Sequence, residues 1–278
     1  MLTRFIVGIV LVPLLIVVLF FTPPIILPFV IGLVCALIAY ELLWATGFLR
    51  DRFIVVASIV CAAAVPMWQY YGAPQLWAFV VVFVFTLVIF TVAMAGLVRH
   101  PDREAQVSLG QIGGAYVAAF LIPLFLSSLQ TIAHSSGGAY IILLPFCIAF
   151  GTDIFAYFVG VTWGKHRPLK ALSPKKSIEG SIGGLFGAAF FAAGLGTIVQ
   201  FLYSPSINFI WLVAIAAIGS MVAQFGDLTF SYIKRGFGIK DYGKILPGHG
   251  GVLDRFDSII FVAPFVAMAL QVFQVIEV

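Results

Sequence analysis

Charge is what this sequence has least of. Asp, Glu, Lys and Arg make up 9% of the 278 residues, while 62% are hydrophobic. Soluble domains carry about 25% charged and about 45–50% apolar residues. A chain of this length has too little interior to hide so much apolar surface from water. A water-soluble domain is therefore excluded, and an integral membrane protein is expected. Asparagine is almost missing: Asn208 is the only one, and the Phe-Ile that follows makes no glycosylation sequon. Cysteine is scarce as well. Cys35, Cys61 and Cys147 all fall in apolar runs with no CxxC pair or Cys/His cluster, which suggests neither a disulfide framework nor a zinc site.

Long apolar runs are what the chain does have. Nine segments are long enough to cross roughly 30 Å of hydrocarbon as helices: 5–22, 25–48, 53–71, 75–98, 108–132, 138–163, 181–203, 208–232 and 258–276. Turn chemistry separates them, as at Thr22-Pro23-Pro24, Gly72-Ala73-Pro74 and Ser204-Pro205. Arg4 before the first run imitates a signal peptide. That run outlasts an h-region and ends without a small-residue cleavage site, so it is read as a retained span.

The 15 basic residues fall in alternate connections only. They are Arg4; Arg50 and Arg52; Arg99 and Arg103; Lys165, Arg167, Lys170, Lys175 and Lys176; and Lys234, Arg235, Lys240, Lys244 and Arg255. The positive-inside rule then places the N-terminus in the cytoplasm and the C-terminus across the membrane. An even number of spans would spoil the partition. The expected fold is an all-α integral membrane protein of about nine transmembrane helices, multi-pass in the cytoplasmic (inner or plasma) membrane. It reads as one polytopic domain over 1–278, with apolar N-terminal helices at 1–145 and a catalytic half at 146–278. The net charge of +4 resides in these loops, so no nucleic-acid partner is implied.

In the first half, Asp51, Asp102 and Glu104 sit beside arginines in loops and read as solvated surface charge. Glu41, inside the second span, reads as a hydrogen bond to a neighbouring helix. After residue 150 the character changes. Asp153 lies deep in "FGTDIFAYFVGVTWGK", twelve residues before Lys165, or roughly 18 Å along a helix. A carboxylate there costs about 2.5–3.5 kcal/mol on insertion scales and usually faces a bundle interior or wet cavity. Gln224, Asp227, Ser231 and Lys234 form one polar stripe at helical spacing, and Gly226 leaves room for a close approach beside the carboxylate. Asp254 and Asp257, at i and i+3, point to one face if helical. Mg²⁺ is characteristically bound through one or two carboxylates plus substrate phosphates. Helix-dipole complementarity explains one or both of these acids, but not the neighbouring Lys240, Asp241, Lys244 and His249.

The segment "GKHRPLKALSPKKSIEGSIGG" carries prolines that stop a helix, and Ser173 to Glu179 is placed to cap the next one. Gly180, Gly183, Gly184 and Gly187 make a small-residue face suited to close helix packing. Several motifs fail. "SPKK" lacks the companions of a Ser-x-x-Lys hydrolase, and Gly160 with Gly164-Lys165 has the wrong spacing for a P-loop. Buried acids on membrane helices also fit an ion-coupled transporter, although no internal repeat is evident and lysine-rich loops suit polyphosphate better.

Residues 231–257, "SYIKRGFGIKDYGKILPGHGGVLDRFD", resemble the signature of the phosphatidate cytidylyltransferases, also called CDP-diacylglycerol synthases. The pattern is met at Ser231, Lys234-Arg235, Lys240-Asp241, Gly243, His249-Gly250-Gly251 and Asp254-Arg255-Phe256-Asp257. Upstream, "SPKKSIEG" is similar to the family's Ser-Pro-x-Lys-Thr-x-Glu-Gly element, with Ser177 in place of the threonine. The resemblance covers roughly 145–260. It implies that CTP and phosphatidic acid react to give CDP-diacylglycerol and pyrophosphate, with Mg²⁺ required; a second cation, of unknown identity, is left open.

The site so implied takes metal at Asp153, Asp227, Asp254 and Asp257. Lys234, Lys240 and His249 join those aspartates as catalytic residues. Substrate falls to Ser173, Lys175, Lys176, Ser231, Arg235, Asp241, Lys244, Gly250, Gly251 and Arg255. The active site would face the cytoplasm and meet phosphatidic acid in the cytoplasmic leaflet, among other membrane lipids. A homodimer is what the resemblance implies. A CTP-dependent lipid-alcohol kinase and a relative acting on ether-linked archaeal lipid remain open beside this reading.

Overall fold

The computed structural model describes residues 13, 16–72, 74–99, 107–135, 137–168, 172–204, 206–245 and 250–277. Among them, eight helical segments are long and apolar enough to cross a membrane. The all-α integral membrane fold is therefore present. The first apolar run, 5–22, lies mostly outside the described residues, as do Arg4, Asp102, Arg103, Glu104, Lys170 and His249.

The helices are α1 (Ile26–Tyr40), α2 (Arg52–Tyr70), α3 (Gln75–Arg99), α4 (Leu109–Tyr116), α5 (Ile122–Ala133), α6 (Gly138–Ile141), α7 (Leu144–Thr162), α8 (Ile178–Tyr203), α9 (Phe209–Gly236) and α10 (Leu253–Val272). A π-helical turn at Glu41–Ala45 extends α1, and another at Val117–Leu121 joins α4 to α5. Strands β1 (Ser206–Ile207) and β2 (Ile276–Glu277) pair antiparallel. The last span starts earlier than hydropathy alone suggests. Asp254 and Asp257 dilute the apolar window at 253–257, yet the helix already includes them.

The chain divides into two compact units. The first comprises Met1–Ser127 with Asp241–Asp254. Within it α1 crosses α2 at Gly32, where an added Cβ would lie 2.6 Å from the carbonyl of Ala63. Asp51 is not mere solvated charge: its carboxylate caps α2, accepting from the N–H groups of Phe53 and Ile54. Gln111 donates to the Phe48 carbonyl at 2.6 Å, and Phe85, Tyr116 and Phe120 meet edge to face or tilted.

The second unit comprises Ser128–Lys240 with Arg255–Val278. Its centre is the α7–α8 pair, where glycines replace side chains at the crossing. A Cβ on Gly151 would lie 2.8 Å from the Gly187 carbonyl, and one on Gly180 2.7 Å from that of Ala156. Apolar side chains gain little from leaving lipid for protein. Close van der Waals packing is what holds membrane helices together, and small residues permit it. The small-residue face of 180–187 thus does what its spacing predicts. Asn208 caps α9 through Trp211 N–H, while its own N–H donates to the Val275 carbonyl. Strand β1 ends one residue before that cap.

Candidate active site

The described ends of the segment between α7 and α8 are held by two side chains. Ser177 is the N-cap of α8, accepting from Gly180 N–H at 3.1 Å. The cap falls within the expected stretch Ser173 to Glu179, at Ser177. Glu179 turns the other way. Its carboxylate accepts from the N–H groups of Lys165 and His166 and from His166 Nδ1, the last at 2.6 Å. Ile178 N–H donates to the His166 carbonyl. Gly164 must stay small, because a Cβ there would sit 2.6 Å from Ser177 Oγ. So held, the segment delivers Lys176 to α9, where its Nζ forms an ion pair with Asp227 Oδ2.

Asp227 is the hub of this cluster. Its Oδ1 accepts from Ser231 Oγ at 3.3 Å, one turn along the polar stripe. Beside it Gly226 does what its missing side chain suggests. A Cβ there would lie 2.8 Å from the backbone carbonyl of Asp257, so α10 passes close to α9 at the two acids. Asp153 on α7, Asp227 and Asp257 lie within electrostatic reach of one another. Lys176 and Arg255 act on Asp153, and Lys234 acts on Asp257. Three acids from three helices and three basic side chains thus share one region of the second unit.

A buried polar track supports the cluster. Thr152 Oγ1 donates to Ser220 Oγ at 2.8 Å, and Gln224 Nε2 donates to Ser220 Oγ and to the Ser181 carbonyl. Thr152 precedes Asp153, and Gln224 lies one turn before Asp227, so these bonds tie α7, α8 and α9 together where their acids emerge. Paired hydroxyls in apolar surroundings are held by the cost of leaving either unpaired. Sequence reading missed the Thr152–Ser220 pair, since nothing local connects residues 68 apart.

Other expected residues are differently engaged. Arg235 donates to the carbonyls of Leu172 and Ile239 at 3.4 Å, spanning two loops. The Ser173 carbonyl accepts from Lys176 N–H in a tight turn. Lys175 and Lys240 are exposed. Among the described residues, no three Asp, Glu, His or Cys side chains converge as a ready-made metal cage.

In the first unit, residues 241–245 and 250–254 are organised by carboxylates. Asp254 Oδ2 accepts from the N–H groups of Tyr242 and Gly251, both at 2.9 Å. Glu41, 0% exposed, accepts from Val252 N–H at 2.9 Å and Leu253 N–H at 2.8 Å. Its helix-to-helix bond is thus a cap on the start of α10. Gly250 has φ +83, a left-handed conformation that suits glycine. Asp241 and Lys244 are exposed, and His249 falls outside the described residues.

The profile described as "Cytidylyltransferase family" matches residues 2–273. The chain belongs to the cytidylyltransferase family. A protein of Staphylococcus aureus (strain COL) named "Phosphatidate cytidylyltransferase" is 44% identical over 135 residues, 49% of this chain and 50% of that one. One of the same name from Rickettsia bellii (strain RML369-C) is 41% identical over 154 residues, covering 53% and 65%. A third, from Bacillus subtilis (strain 168), is 44% identical over 126 residues, covering 45% of each chain. The chain thus matches about half the length of the first of these relatives.

Proposed function

We propose that this chain is a phosphatidate cytidylyltransferase, joining CTP and phosphatidic acid into CDP-diacylglycerol with release of pyrophosphate. The observation that carries the reading is the cluster of Asp153, Asp227 and Asp257 with Lys176, Lys234 and Arg255 in a membrane protein of this family. A soluble nucleotide and a membrane-resident lipid meet best at a polar site borne on membrane helices. The one-sided basic loops support a cytoplasmic face for that site.

The chemistry asks little of a general base. A phosphate monoester is largely dianionic at neutral pH, since its second pKa is about 6. A lipid phosphate oxygen attacks the α-phosphorus of CTP. The bond from that phosphorus to the bridging oxygen breaks, and pyrophosphate leaves with the bond's electron pair. The barrier is the approach of two anions and the charge on the leaving group, a task for positioning and electrostatics.

The donor set fits Mg²⁺. Carboxylate oxygens are its preferred ligands, and Asp227 already holds a cation in the Lys176 ammonium. Asp227 and Asp257, with Asp153 beside them, would hold the ion, and a hard divalent ion supplies charge neutralisation for the reacting phosphates. Lys176 would pair with a substrate phosphate in place of Asp227. Lys234, Arg235 and Lys240 pair with the triphosphate, and Lys175 with the lipid phosphate. His249 would donate to a phosphate or help protonate the leaving group.

The deciding test uses purified protein in detergent with phosphatidic acid, Mg²⁺ and labelled CTP. Label in the α-phosphate is expected in the lipid product and label in the γ-phosphate in pyrophosphate. γ-Label in the lipid would identify a lipid kinase instead, and ion movement without turnover a transporter. Lys240→Ala is expected to raise KM for CTP about tenfold while kcat changes less than about threefold. An unchanged KM in steady-state kinetics removes Lys240 from the nucleotide site.

A further inference from the structure

Of Lys176, Lys234 and Arg255, only Lys176 comes from outside the helices that carry the acids. Its backbone is pinned on both sides. Its own N–H donates to the Ser173 carbonyl at 3.2 Å, and the next residue, Ser177, caps α8. The side chain then reaches α9, where Nζ pairs with Asp227 Oδ2 and its charge also acts on Asp153. Nζ is enclosed there, and beyond that ion pair it has no hydrogen-bond partner. An ammonium carries three donors. This one faces two acids and is short of acceptors, so it stands where the acids need a positive counter-charge.

A mere tie between α8 and α9 does not require this pair. The Gln224 bond to the Ser181 carbonyl already joins those helices, and enclosing an ion pair costs desolvation of both charges. Lysine is suited to an exchange. Its four-carbon stem is flexible and its charge compact, so the ammonium can withdraw while Ser173 and Ser177 hold the backbone. We propose that Lys176 is the resident counter-ion of the acid cluster and leaves Asp227 when a divalent cation binds there. That this ion is the Mg²⁺ of the reaction rests on the function proposed above. The exchange at Asp227 does not.

Mn²⁺ is the probe, because carboxylates accept it as they accept Mg²⁺. It is added to purified protein in detergent without CTP or phosphatidic acid. Free Mn²⁺ is followed by electron paramagnetic resonance. Acylation of the Lys176 amine is followed by mass spectrometry, relative to that of the exposed Lys175. Saturating Mn²⁺ is expected to raise relative acylation of Lys176 about tenfold, and Lys176→Met to bind Mn²⁺ about tenfold more tightly than the parent. Lys175→Met, which removes a solvent-screened charge, should stay within about twofold of the parent.

Unchanged acylation of Lys176 in the Mn²⁺-loaded parent overturns the exchange. Tighter binding by Lys176→Met would not rescue it, since a fixed charge nearby has the same effect. Equal or weaker Mn²⁺ binding by folded Lys176→Met also overturns it and would mark the lysine as fixed support for the acids. So does a parent that binds no Mn²⁺ at millimolar concentration. If Lys176→Met fails to fold, labelling of the parent decides alone. Should Mn²⁺ expose Lys176 in a protein that does not turn over CTP, the proposed function falls and the exchange stands.

Discussion

Asp257→Asn is expected to lower pyrophosphate release about a thousandfold, with the protein still folded and membrane-inserted. The substitution changes charge with almost no change in shape. The backbone carbonyl that passes Gly226 is untouched, and the amide oxygen of Asn can still accept from Ser258 N–H, as Asp257 Oδ1 does at 2.7 Å. What is lost is one of three negative charges facing Lys176, Lys234 and Arg255. With two carboxylates against three basic groups the cluster turns net positive and repels a divalent ion. Turnover measured against Mg²⁺ concentration should therefore show both a lower maximum and a higher half-saturating concentration. Retained activity within about threefold of the parent would remove Asp257 from the ion-holding set.

Gly187→Leu is expected to abolish folded protein. An added Cβ at this position would collide with the Gly151 carbonyl and lie 2.5 Å from the Phe155 Cβ. Backbone atoms cannot rotate away, so α7 and α8 must separate along a seam where Gly151, Gly180 and Gly183 are equally close to their neighbours. Overpacking usually costs about 1–3 kcal/mol and more where backbone must move. Here the seam is the centre of its unit, and its separation would also pull α7 or α8 from α9, breaking the Thr152–Ser220 bond or the Gln224 bond to the Ser181 carbonyl. Gly194→Ala on the same helix is the control. Nothing lies within 4 Å of its added Cβ, so its thermal midpoint should be unchanged or slightly raised. Size-exclusion profiles in detergent distinguish the two outcomes. A monodisperse Gly187→Leu protein would show that the seam can open without loss of the fold.

Much of this protein was written locally in its sequence. Apolar runs of span length identify membrane helices because water and hydrocarbon differ so sharply as solvents for side chains. The stripe of Gln224, Asp227, Ser231 and Lys234, the glycine face of α8 and the room beside Gly226 follow from helical periodicity alone, and each is used as that periodicity predicts. Tertiary structure decided which distant residues meet. Lys176 pairs with Asp227 only because Ser177 and Glu179 fold the segment that carries it. Thr152 finds Ser220, and Glu41 finds two N–H groups more than 200 residues away. Solvent preference and helical spacing act over a few neighbouring residues and are legible there. Pairing of buried polar groups depends on which helix lies alongside, and that is settled by packing across the whole chain.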